Sequence, residues 1–366
     1  MSKKNYDVAA YVWPSYSGDD PRSLIFWQEG MGEWQTVRDA QPKFSGHVEP
    51  RKPLWGYVNE ANPDVMELQI NAALRHGVNV FIYDWYWYDN RPFLENCLND
   101  GFLGAKNNME MQFYLMWANH DATHLWDKRN SGKDGLIWEG IADRTKFETV
   151  CNRIIERYFS RPNYYKIDNA PVFSIYDLPN LIRGLGGITQ TLRALDWFRQ
   201  RCVEAGFGGL HLQGILPGGK VPGAPGEKPM SMLDFVAAAG FNSTTHYQFV
   251  QMTDINRDYS EVLSDIEKVW QKSAQSAPTY FPHVSLGWDN NARFTQFNDG
   301  IIKNNTPQQI EKALHAAKSF VDARQNTPRL ITINSWNEWT EGSYLQPDTQ
   351  YGYGYLEAIR RVFAAE

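Results

Sequence analysis

The sequence predicts one (β/α)8 barrel, a single catalytic domain over residues 1–366, and three observations carry that expectation. Short apolar runs alternate with longer segments of helical period from one end to the other. The alternation repeats eight times, the number that closes a parallel sheet into a barrel. Aromatic and hydrogen-bonding residues gather where the apolar runs end, the edge at which such barrels carry their sites. The chain is 42% hydrophobic and 21% charged over 366 residues, the balance of a globular protein with a large core, and α/β barrels reach this length as one domain.

The elements follow in order. The run VAAYVW predicts a strand over 8–13, and a helix fits 62–76 before the second strand, NVFIYD, at 79–84. A helix at 92–99 leads to MQFYLMW at 111–117, and one at 143–159 to PVFSIY at 171–176. The segment 190–205 then leads to GLHLQGI at 209–215, 229–239 to FNSTTH at 241–246, and 258–275 to TYFPHVSL at 279–286. In the seventh helix, 306–325, Ile310, Leu314, Ala317 and Val321 mark one buried face, and Thr306-Pro307 reads as N-cap plus first-turn proline. RLITINS at 329–335 is the eighth strand and 351–364 the last helix. The Gly/Pro-rich stretch at 217–229 falls where a long loop after the fifth strand belongs.

Several function classes are excluded or weakened. A formal net charge of −6 with no Lys/Arg-rich run argues against nucleic acid. Three scattered cysteines, Cys97, Cys151 and Cys202, make neither a disulfide framework nor a zinc site. No signal peptide or membrane span is legible, so a soluble protein is expected, periplasmic or secreted where a signal has been removed and cytoplasmic otherwise. The polar outer faces of such a barrel carry no signal of oligomeric state. Gly214 to Lys220 imitates a phosphate loop, but Val221 replaces the Ser/Thr and Pro222 opposes the following helix. His120-Asp121-Ala122-Thr123-His124 imitates a zinc-protease pair but follows a strand instead of lying in a helix. No metal and no cofactor are called for.

The residues at the strand ends have the character of a sugar site, in which aromatic faces cover C–H patches and polar side chains bond hydroxyls. They are Trp13 and Tyr16; Asp84 and Tyr86; Trp117, Asn119, His120 and Asp121; Tyr176; Gln213; His246 and Tyr247; Trp288 and Asp289; and Trp336 and Asn337. The expected partner is a polysaccharide or oligosaccharide. After the last strand, NSWNEWTEG (334–342) sets Glu338 and Glu341 three positions apart. A continued strand would point them to opposite faces. A turn would bring both to one pocket, the arrangement that lets one carboxyl donate a proton while the other stays ionised.

The block SWNEWTEGSYLQPDTQYGYGYLEAIRR (335–361) resembles the C-terminal signature of WbsX-like proteins, which belong with the glycoside hydrolase family 99-like barrels. YDWYWYDNRPFLE (83–95), FYLMWANHD (113–121), GLHLQGI (209–215), YFPHVSLGWDNNARF (280–294) and TPQQIEKAL (306–314) agree in the same order. The resemblance implies a barrel acting on glycans, with Glu338 as the base that takes the proton of the sugar 2-hydroxyl and Glu341 as the general acid/base, in a retaining reaction. It also implies an acidic residue directly after Trp-Ala-Asn, where this chain has His120, with Asp121 next to it. WbsX-like domains occur in polysaccharide-biosynthesis loci too, so the alternative expectation is a glycan-binding accessory protein without turnover.

Overall fold

The structure, a computed structural model, describes residues 6–131, 133, 135–216, 220–221, 228, 230–276, 278–324 and 327–364. The loop expected at 217–229 lies almost wholly outside the described residues. Eight parallel staves form the barrel. They are β1 (Asp7–Val12), β2 (Val80–Tyr88), β3 (Gln112–Trp117), β4 (Ala170–Ile175), β5 (His211–Ile215), β6 (Ser243–Thr245), β7 in two pieces (Thr279–Tyr280 and His283–Ser285) and β8 (Leu330–Asn334). Neighbours in sequence pair from β1 to β6, and β8 pairs with β1. The first piece of β7 pairs with β6 and the second with β8, so the barrel closes through a broken stave. The break falls at Pro282, which has no N–H for a ladder; its carbonyl accepts from Thr332 N at 3.1 Å while Phe281 N donates to Thr244 O at 2.9 Å.

Around the barrel lie α1 (Trp34–Arg38), α2 (Pro63–Arg75), α3 (Arg144–Ile154), α4 (Leu178–Leu185), α5 (Ile188–Glu204), α6 (Met232–Ala238), α7 (Tyr259–Ser276), α8 (Pro307–Asp322) and α9 (Gly354–Ile359). Ile310, Leu314, Ala317 and Val321 are buried on α8 as their spacing requires. Thr306 stands at the cap, but its side chain makes no cap bond; its carbonyl instead accepts from Gln309 and Ile310. The helix expected at 92–99 is replaced. Asp89 and Asn90 both have positive φ, 51° and 58°, the geometry of a two-residue hairpin loop. They fold Arg91–Phe93 back onto β2, and a wide coil over Cys97–Phe102 follows. A helix absent from the reading, α4, is capped by Asp177, whose Oδ1 accepts from Asn180 N at 2.8 Å.

The lumen is unusually polar for such a barrel, which more commonly fills with branched aliphatics. Thr245 and Thr332 hydroxyls meet at 2.9 Å, His283 Nδ1 lies 3.0 Å from Thr332 Oγ1, and Tyr114 Oη donates to Gln213 Oε1 at 3.1 Å. Outward residues are apolar and pack on the helices; Trp117, for instance, lies against Phe147 of α3. Among the described residues no helix is long and apolar enough to cross a membrane.

Candidate active site

The segment after β8 does turn. Asn337–Glu338 pairs antiparallel with Ser343–Tyr344, a single 3-10 coil covers Trp339–Glu341, and Gly342 reverses the chain at φ 63°, where glycine carries no Cβ penalty. Ser335 fastens the base of the turn: its hydroxyl donates to Ser343 O at 2.8 Å and accepts from Glu338 N at 2.7 Å. Behind it, Trp339 stacks on Tyr344 at 3.8 Å. Glu60, fully buried, accepts amide hydrogens from Asn337, Gln346 and Gln69 at 2.8, 2.6 and 3.1 Å. Burial pushes the Glu60 carboxyl up to about 7 against those three bonds.

The two carboxyls face a cavity of about 350 Å³ at the C-terminal mouth of the barrel. Trp13, Tyr86, Trp126 and His120 make an aromatic box on one side, with Trp13 and Trp126 centroids 5.1 Å apart. Tyr176, Tyr247 and Trp288 line the remainder. One cation serves the acids. Arg293 is buried, and its guanidinium donates to Glu33 at 3.0 Å, Glu341 at 2.5 Å and Glu338 at 3.4 Å. Glu33 in turn accepts from Trp13 Nε1 at 2.5 Å, which fixes that indole in the box. Glu341 also accepts from the Gln248 amide.

Three acids, Glu33, Glu338 and Glu341, therefore share one arginine, and a fourth, Asp84, lines the same cavity. Burial, and then the Glu341 charge, push Glu338 well above the usual carboxylate range. Burial also raises Glu341, opposed by Arg293 and the Gln248 amide. Glu341 thus has the shorter and better donors and is the better anion; Glu338 is the better acid. The Tyr247 hydroxyl lies 2.7 Å from Asp84 Oδ2 and 3.2 Å from Glu338 Oε1, yet it has one hydrogen to donate, so both contacts are bonds only when one of these two carboxyls is protonated. Asp84 is raised well above its ordinary value by burial, and its Oδ1 has no hydrogen-bond partner among the described residues.

Of the residues singled out from sequence, Glu338, Glu341, Trp13, Asp84, Tyr86, His120, Tyr176, Tyr247 and Trp288 come together around this cavity. The others are placed elsewhere. Trp117 points out to α3, and Asn119 ties the following loop to Asp177 through bonds of 2.8 Å in each direction. Asp121 accepts from Gly140 N, Gln213 lies in the lumen on Tyr114, and His246 lies 2.8 Å from Tyr280 Oη on the outer face. Tyr16 accepts from Trp339 N at 3.2 Å from below the turn. Trp336 packs on Phe81 and donates to Gln69, and Asn337 bonds the Trp13 backbone and Glu60. Asp289 is paired with Arg51 and His47, both at 2.7 Å.

Sequence reasoning missed Arg293, Trp126, Gln248 and Glu33. None belongs to a catalytic motif of its own, although Arg293 falls inside the block YFPHVSLGWDNNARF and Gln248 follows directly on Tyr247. For metal, the described residues hold one group of three possible ligands, His47, Glu49 and Asp289, with ligand atoms within 4.8 Å of one another. Arg51 already bonds both acids there, so their charge is met by protein. His120 and His124 do not enter that group.

Comparison with known proteins bears on the family and the fold. Residues 9–359 match the family described as Glycosyltransferase WbsX. Protein WxcX of Xanthomonas campestris pv. campestris, itself uncharacterised, is 28% identical over 355 residues, covering 93% of this chain and 47% of its own length, so this chain spans about half of that relative. A solved glycoside hydrolase-like protein superposes with a TM-score of 0.64 at 15% identity, covering 99% of this chain and 95% of its own. The GH99 endo-alpha-mannosidase of Bacteroides thetaiotaomicron superposes at 0.58 with 14% identity, covering 99% and 97%. At such identity these structures speak to the α/β barrel fold.

Proposed function

This chain belongs to the WbsX family, and we propose that its barrel breaks a glycosidic bond in a complex polysaccharide or oligosaccharide, with Glu338 and Glu341 as the working pair. The observation that carries the proposal is a pair of buried carboxyls on one turn, sharing Arg293, beneath an aromatic box. Glycoside hydrolysis needs that pair in opposite protonation states: one gives its proton to the departing oxygen as the C–O bond breaks, and the other takes a proton from the attacking hydroxyl or water. In the resting site Glu338 is the better proton carrier and Glu341 the better anion. The likeness to family 99 implies the reverse order, with Glu338 as base towards the sugar 2-hydroxyl. Tyr86, Trp13, Trp126 and Trp288 would cover sugar faces, and Asp84 Oδ1, without a hydrogen-bond partner among the described residues, would accept from a sugar hydroxyl.

The test is release of sugars from a panel of microbial and plant polysaccharides, read by mass spectrometry, for wild type, Glu338→Gln and Glu341→Gln. Loss of about a hundredfold or more in both variants supports the pair. An aryl-glycoside series then separates the roles, because loss of the acid is bypassed by a good leaving group and loss of the base is not. Two other readings have their own outcomes. Glycan binding by all three proteins without product supports an accessory role. Product that forms only when a sugar acceptor is added supports transfer, the activity in the family's description.

A further inference from the structure

Behind the carboxylate turn lies a second cavity, of about 310 Å³, which shares Trp288 with the first. Rings of Phe44, Trp288, Tyr344, Tyr351 and Tyr355 stand in its walls. The two cavities are joined through backbone as well. Asp289 N donates to Glu341 O at 2.7 Å, and Gly342, one residue on, faces the second cavity with Arg51 packed against it. Arg51 pairs with both Glu49 and Asp289, and Asp289 also meets His47. Three groups around the cavity are not committed: the Lys303 ammonium, the Gln350 amide and the Tyr351 hydroxyl make no hydrogen bond or ion pair among the described residues.

We propose that this second cavity holds a neighbouring sugar unit of the same glycan, and that it prefers a unit bearing a carboxylate. The inference rests on the glycan reading of the first cavity. Aromatic faces with free hydrogen-bonding groups around them are what a pyranose requires, its C–H patches against rings and its hydroxyls on amide and phenol. Lys303 supplies the charge preference, since it is the lining cation that makes no ion pair among the described residues. Trp288 supplies continuity, because it borders both cavities and linked sugar units on either side would meet the same ring.

The test uses the full chain and ligand-observed saturation-transfer NMR with sodium D-glucuronate, sodium D-galacturonate, D-glucose and D-galactose as probes, in the millimolar range expected of single sugars. The uronates bind about two- to fivefold tighter than the hexoses, the worth of one exposed ion pair. Lys303→Ala abolishes the preference, Tyr351→Ala weakens all four probes, and Glu341→Gln changes neither; Lys303 is exposed and Tyr351 half-buried, so thermal melts of both variants should match wild type. Equal binding of uronates and hexoses, no binding of either, a preference that survives Lys303→Ala, or one lost in Glu341→Gln overturns the proposal. Because the readout is binding without turnover, it stands or falls apart from hydrolysis, which the product screen tests alone.

Discussion

Replacing Arg293 by methionine keeps an unbranched chain of similar bulk and removes the one cation that, among the described residues, Glu33, Glu338 and Glu341 share. Removing one partner of a buried ion pair costs about 3–5 kcal/mol, because the charges left behind are neither solvated nor paired. At ~2 °C per kcal/mol for a chain of this size, the melting temperature falls by about 6–10 °C at neutral pH. The sign with pH follows from linkage. Without the arginine, the folded-state carboxyls of Glu338 and Glu341 rise further above their unfolded value of about 4.3, so the folded protein holds more protons than the unfolded one. Stability is then full below that value and is lost as pH rises through the folded pKa. The deficit against wild type should therefore be largest near pH 8 and shrink towards pH 5, read as thermal melts of both proteins across that range. A deficit that is the same at both ends, or under about 1 kcal/mol, would refute the view that Arg293 holds three ionisable acids together.

Gly342→Ala combines a left-handed φ of 63° with a Cβ 3.0 Å from Arg51 Nη2; a loss of roughly 1–2 kcal/mol is expected for the backbone alone, with more from displaced Arg51, measured by chemical denaturation. Glu60→Gln sets an amide against three amide donors; with Nε2 facing a donor the variant should lose about 1–3 kcal/mol, and its melt should lack the wild-type decline between pH 4.5 and pH 7 that a carboxyl raised to about 7 produces. Trp126→Ala removes one wall of the aromatic box, and glycan affinity by calorimetry should fall roughly tenfold with Glu338 and Glu341 untouched. A bell-shaped pH–rate profile is expected of any hydrolysis, its acid limb from Glu341 taking a proton and its alkaline limb from Glu338 losing one.

The order of the eight strands was legible because period and length are local properties, and so was the turn at Gly342; the helices were less so, with 92–99 a returning strand and wide coil and Leu178–Leu185 unread. Facing was harder to read. On β3 and the residues after it, Met116, Ala118 and His120 line the cavity while Trp117 and Asn119 do not. On β2, Asp84 and Tyr86 face in and Trp85 faces out; after β6, Tyr247 faces in and His246 out. Residues paired across the sheet share a face, as Trp85 with Trp117 and Trp117 with Ile175 do. Side-chain character alone could not supply that parity, because both faces of these strands carry aromatics. Arg293 was illegible for another reason: its three partners lie 260, 45 and 48 residues away, and nothing local to it reports them.

Pairing of β1 with β8 also sets the order of events during synthesis. Trp13 N is held by Asn337 Oδ1 across 324 residues, and Asp7 pairs with Leu330. The box, the arginine and the two acids therefore exist as a unit only after the eighth stave has left the ribosome. Until then the first stave has an unpaired edge, one that other strands can capture. Folding of this chain is a closure problem dominated by its most distant contacts, and activity should appear in a single step, with the last stave.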